Sequence, residues 1–136
     1  MFAIATLGFV TLFYGVQAAD NENPPDKIKE LQKQRAAALH DARDFVTDMF
    51  ETGQATLDEV LSANLTALDA DVDLAESQEQ RIKLLGDALT QAREFEETIS
   101  KLFQSKEANR LDVLKATARR LEREISLERA RYDIKK

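Results

Sequence analysis

Residues 42–75 read ARDFVTDMFETGQATLDEVLSANLTALDADVDLA, and their spacing decides the fold. Before Gly53, Ala42, Phe45 and Met49 are separated by three and four positions. After it, Leu57, Leu61, Leu65, Leu68, Val72 and Ala75 keep the same rhythm. Steps of three and four return to one face of a helix, whereas a strand returns every second residue. Gly53 can take the left-handed backbone that ends a helix. Thr56-Leu57-Asp58-Glu59 fits a capping box, with the Thr oxygen accepting a free backbone N–H and the Glu reaching back. The stretch therefore reads as helix, elbow, helix.

The same rhythm extends in both directions. Ile28, Leu31, Ala38, Ala42, Phe45 and Met49 form one stripe, with Arg35 filling a slot. Ile82, Leu85, Leu89, Ala92, Phe95, Ile99 and Leu102 form a third stripe after that of 57–75. Leu111, Leu114, Ala118, Leu121, Ile125 and Tyr132 form a fourth, with Glu128 in one slot. Ser77-Gln78-Glu79-Gln80 reads as a second capping box, and Asn109 with Asp112 as a weaker start signal. The expected helices are about 26–51, 57–76, 78–105 and 110–134. The break at Ser77 is the least marked and leaves open whether the second and third helices run on as one. No stretch alternates with period two, so no strand is expected. Phe45, Phe50, Leu61, Leu68, Leu85, Phe95, Leu114, Leu121 and Ile125 are the expected core.

The halves resemble each other. Ala42-Arg43-Asp44-Phe45 recurs as Ala92-Arg93-Glu94-Phe95, and Glu59-Val60-Leu61-Ser62-Ala63 as Asp112-Val113-Leu114-Lys115-Ala116. Two blocks in the same order suggest two related helix–turn–helix units, about 26–76 and 77–136. The expected fold class is all-α: antiparallel helical hairpins or a four-helix bundle with coiled-coil-like packing.

Composition agrees. The 136 residues are 32% charged and include only four Gly and two Pro, which favours uninterrupted helices. The net charge is −6, and a mildly acidic chain is a poor general binder of nucleic acid, whose phosphates demand basic clusters, so no nucleic-acid partner is expected. Without cysteine, disulfides, thiolate metal sites, a cysteine nucleophile and a lipidated N-terminal cysteine are excluded.

Residues 2–19, FAIATLGFVTLFYGVQAA, carry no charge. The apolar run has the length of a signal-peptide core, and Val16-Gln17-Ala18 offers small residues for cleavage near Ala18 or Ala19. No Lys or Arg precedes it, so a retained membrane anchor is the other reading of residues 1–19. Residues 20–25 read as a polar linker. Asp20, Glu22 and Asp26 suit export of the C-terminal part. The expected location is the periplasm or cell envelope, with membrane contact only through this segment if it stays uncleaved.

Phe50-Glu51-Thr52-Gly53-Gln54-Ala55-Thr56-Leu57-Asp58-Glu59-Val60-Leu61-Ser62-Ala63 resembles an elbow motif of the TolC-type outer-membrane efflux family. The shared pattern is an aromatic, Gly, a small polar cap, then acidic-Val-Leu-x-Ala. Phe50, Gly53, Thr56, Glu59, Val60 and Leu61 carry it here. In the second copy Lys106 stands where Gly is expected after Phe103. The resemblance implies a helical hairpin of similar construction in the envelope. It does not imply a channel, because spanning strands and longer helices are missing.

Individual residues offer little chemistry. His40 is the only histidine, and Ala37 stands where a ferritin-like Glu-x-x-His would need its Glu, so His40 reads as a surface residue. Asp69-Ala70-Asp71-Val72-Asp73 resembles the start of a calcium loop, but Leu74 replaces the required Gly and Gln80 the required Glu. Asn64-Leu65-Thr66 matches a glycosylation acceptor but lies within a helix. Glu94, Glu96 and Glu97 have no cleft or partner base. No catalytic residue, cofactor or metal is expected, and the chain is not expected to be an enzyme.

Charge distribution says more. Between Arg43 and Arg81 lie ten acidic residues and no basic one, while from Arg110 onward there are nine basic and five acidic. Helix two should therefore face helix four, within one chain or across a self-assembly, with Arg119, Arg120 and Arg123 near Asp69, Asp71 or Asp73. The expected function is a non-catalytic envelope scaffold or protein-binding module. An accessory role in a TolC-like export or efflux assembly is the alternative.

Overall fold

The computed structural model describes residues 23–135. The expected signal peptide or anchor of residues 1–19 and the first part of the linker lie outside them. Among the described residues four helices run in order: α1 (Pro24–Glu51), α2 (Leu57–Leu74), α3 (Gln78–Gln104) and α4 (Arg110–Ile134). Those residues contain no strand. The all-α expectation holds, and the expected helix ends lie within two residues of those observed.

One helix start and one cap depart from the sequence reading, while the expected break between the second and third helices is present. The end of the expected linker is helical, because Pro24 and Pro25 occupy the first positions of α1. Those positions have no intrahelical N–H bond to lose, and the proline ring presets a helical φ. The break at Ser77 is real, and α2 and α3 are separate helices. Its cap is half a box: Ser77 Oγ accepts from the Gln80 N–H at 3.1 Å, but Gln80 Oε1 accepts from the Glu76 N–H at 3.2 Å.

Close backbone packing joins only helices consecutive in the chain. The pairs Lys29–Glu76, Arg35–Asp73 and His40–Asp71 climb one helix while descending the next, so α1 and α2 are antiparallel. Arg120–Glu96 and Arg93–Glu124 set α3 against α4 in the same sense.

The core belongs to α2, α3 and α4. One cluster gathers Leu61, Leu65, Ala88, Phe95 and Ala116, with Leu57, Leu68 and Ile99 against it. A second gathers Val72, Leu85, Leu89, Leu127 and Ala130, flanked by Ile82 and Leu84. Neither contains a residue of α1. The expected core positions Leu61, Leu85 and Phe95 are buried, and Leu68 packs on the first cluster.

Phe45, Phe50, Leu114, Leu121 and Ile125 are not core: all five are exposed, Phe45 at 66%. The cause lies in which face each outer helix turns inward. Ala36 is the one buried residue of α1. On α2, Ala67 and Ala70 are buried on the side away from the core clusters, flanked by the two aspartates that reach α1. Small residues let two backbones come close, and the ion pairs fix the rotation. The apolar stripe of α1 is thereby turned outward. On α4 the buried residues are Ala116, Leu127 and Ala130, opposite the stripe of Leu114, Leu121 and Ile125.

Candidate interaction surface

The elbow residues come together as the sequence suggests. Gly53 has φ +75°, and its N–H donates to Phe50 O at 3.0 Å while the Gln54 N–H donates to Met49 O at 2.7 Å. This pair of bonds satisfies carbonyls that the end of a helix otherwise leaves free. The capping box then starts α2: the Glu59 N–H donates to Thr56 Oγ1 at 3.2 Å, and the Thr56 N–H to Glu59 Oε2 at 2.7 Å. Leu61 goes into the core and Val60 is half-buried, whereas Phe50 stays 43% exposed.

The α3–α4 elbow is built the same way. Lys106 has φ 63°, with its N–H donating to Phe103 O at 3.1 Å and the Glu107 N–H donating to Leu102 O at 2.8 Å. Asn109 and Asp112 complete a reciprocal capping box with both bonds at 3.0 Å. A lysine thus takes the left-handed backbone that glycine takes in the first elbow, at the steric cost an L side chain carries there.

The expected charge pairing is met in part. Arg123 joins Asp69, and Arg119 donates to Asp58 at 2.6 Å, so α2 and α4 do face each other through charges. The remaining members pair elsewhere. Arg120 turns to α3, reaching Glu96 at 2.8 Å, and to Glu124 on its own helix at 2.9 Å. Asp71 and Asp73 turn to α1, meeting His40 at 2.8 Å and Arg35 at 3.1 Å. Residues two apart diverge by about 200°, which turns Asp71 away from Asp69 and Asp73; Asp69 and Asp73, four apart, lie within about 40° of each other and reach different helices through the length of their arginine partners. The three carboxylates fan out to three different side chains, Arg123, His40 and Arg35. Among the described residues no group of His, Asp or Glu is disposed to hold a metal ion.

Glu96, Asp58 and His40 are partners that sequence reasoning did not assign. Only the Arg120–Glu124 contact had a local signal, its spacing of four. Burial alone would raise the Glu96 pKa, but hydrogen bonds from Thr117 and Arg120 and the charge of Arg120 outweigh it and hold the carboxyl below the ordinary glutamate range. Hydrogen bonds to Glu96 and Glu124, with the charges of both, push the Arg120 guanidinium upward.

Part of what remains uncovered is apolar. On α1, Ile28, Leu31 and Phe45 are more than half exposed; on α4, Leu111, Leu114, Leu121 and Ile125 are exposed along the whole helix. Scattered surface leucines are ordinary, whereas a contiguous apolar strip marks a contact surface. Two such strips lie on the flanking helices, which do not pack against each other.

Comparison with protein-family models, with curated proteins and with solved structures finds no match to this chain. The TolC-type resemblance therefore rests on the elbow motif alone.

Proposed function

We propose that the chain is an exported, non-catalytic helical scaffold of the cell envelope, which binds protein through the apolar faces of α1 and α4. One observation carries this reading: both outer helices turn the regular apolar stripe outward, α1 docking through Ala36 and ion pairs and α4 through Ala116, Leu127 and Ala130. Leaving that much apolar surface in water is unfavourable, at about 25 cal/mol per Å². A protein partner recovers that free energy. The uncharged residues 2–19 followed by acidic ones support export.

The test is affinity capture from envelope extracts with the native chain and with Leu121→Glu. Leu121 is exposed, so the substitution leaves the core intact. Proteins held by the native chain and released by the variant support the reading. Equal capture by both overturns it.

A second reading is an accessory component of a TolC-like export assembly. It is favoured by the elbow of Phe50, Gly53, Thr56 and Glu59, whose architecture recurs at Phe103–Asp112. Capture of transport components by the native chain, lost when the elbow is rebuilt with other turn residues, is its expected signature.

A further inference from the structure

The two exposed stripes match each other. Their slots fall at 28, 31, 35, 38, 42, 45, 49 on α1 and at 111, 114, 118, 121, 125, 128, 132 on α4, in the same order of threes and fours. Each is the two-position seam of a coiled coil. Each seam is apolar except for one charged slot, Arg35 on α1 and Glu128 on α4. Within one chain they have no route to each other, because α1 packs on α2 alone.

We infer that α1 of one copy pairs with α4 of a second copy, antiparallel, with Arg35 opposite Glu128. This deepens the scaffold reading, on which it rests, by naming the partner as the chain itself. In antiparallel pairs the two seam positions face each other crosswise. The register that sets Arg35 against Glu128 also sets Ala38 against Ile125, Ala42 against Leu121, and Phe45 against Ala118. Each of these central layers joins a large side chain to a small one, and the two charges close on each other. A parallel pairing would face Arg35 with Ala118 and Glu128 with Phe45, leaving each charge buried without a partner. The crosswise register one heptad away sets Ala38 against Ala118 and separates the charges.

The flanks agree. The antiparallel register brings Asp48 and Glu51, at the acidic end of α1, alongside Arg110 and Lys115 at the start of α4. Arg35 now reaches Asp73, and Glu128 reaches Arg131. Both contacts are about half exposed, so either side chain can exchange its partner. Because the two seams lie on helices that do not pack against each other, one copy can engage two others, head to tail.

The chain has no cysteine, so introduced thiols report without background. Full chains carrying Ala42→Cys are mixed with full chains carrying Leu121→Cys under mild oxidation. The expected result is a disulfide-linked pair from the mixture and none from either chain alone. Leu31→Cys mixed with Leu114→Cys, which face each other only in a parallel arrangement, should stay unlinked. A link in that control, or between two Ala42→Cys chains, overturns the proposal. In sedimentation, Arg35→Glu alone should weaken association by roughly tenfold or more, since it sets two like charges together in the seam. Arg35→Glu with Glu128→Arg should recover most of that loss. A chain that is monomeric at every concentration overturns the proposal, as does a double variant no better than the single. Should that chain still capture envelope proteins through Leu121, the scaffold reading stands without self-pairing. Linked copies that capture nothing else support self-pairing and remove the foreign partner.

Discussion

The inner and outer helices of this molecule use the same sequence rhythm in opposite ways. In α2 and α3 the three-four stripe faces the core: Leu61, Leu65, Val72, Leu85, Leu89 and Phe95 are all buried. In α1 and α4 the equivalent stripe faces water, while Ala36 on α1 and Ala116, Leu127 and Ala130 on α4 take the inner positions. Periodicity reveals that a helix has an apolar face. It does not reveal what covers that face. On α1, small residues and long charged ones, which a hydrophobic reading scores as neutral, decide which side docks.

The largest test of this contrast is truncation. Phe95→Ala should cost ~3–5 kcal/mol, because the side chain is buried and leaves a cavity. Leu121→Ala, at a half-exposed site, should cost less than about 1 kcal/mol in the isolated chain. Urea unfolding monitored by helical ellipticity measures both, and equal losses would erase the distinction between inner and outer helices.

Next in size is the difference between the two elbows. Gly53→Ala places a Cβ in open space, so only the left-handed backbone opposes it, and the expected loss is ~1 kcal/mol. Lys106→Gly should gain a similar amount, since it relieves the same backbone. Thermal unfolding should therefore move down for the first and up for the second. If Lys106→Gly destabilises, the two elbows are not equivalent.

The caps sharpen the comparison further. Thr56→Ala and Asn109→Ala remove matching reciprocal boxes, and each should lower stability by ~1 kcal/mol. Ser77→Ala removes only half a box and should cost less.

The smallest effect is electrostatic. Glu96 titrates below its ordinary value in the folded chain, so its contribution is present above the unfolded pKa. It is lost as pH falls through the depressed one. Glu96→Gln should therefore flatten the acid limb of the stability curve while lowering stability at neutral pH. Variants of the exposed outer stripe should leave that limb unchanged.

Much of the fold was legible. Gly53, Thr56 and Glu59 mark the first elbow because capping chemistry is local, and three of the four helix starts carry an explicit cap residue. Lys106 falls in the slot that Gly53 holds in the first elbow, but no side-chain preference announces that a lysine there takes the left-handed backbone. Arg123 and Asp69 could be matched from charge blocks, since the acidic block of α2 and the basic block of α4 meet through this ion pair. Asp71 and Asp73 were misassigned because the acidic block says nothing of rotation about the helix axis. Phe45, Leu114 and Ile125 were misplaced for the same reason. Their period is correct, and only tertiary contacts determine whether the face is covered.

Because each helix leans chiefly on its neighbour in the chain, most native contacts span short stretches of sequence. Chains wired this locally reach their final form on the order of microseconds to milliseconds. The shape can be laid down hairpin by hairpin as the polypeptide emerges, with α1 and α2 closing on each other before α4 has appeared.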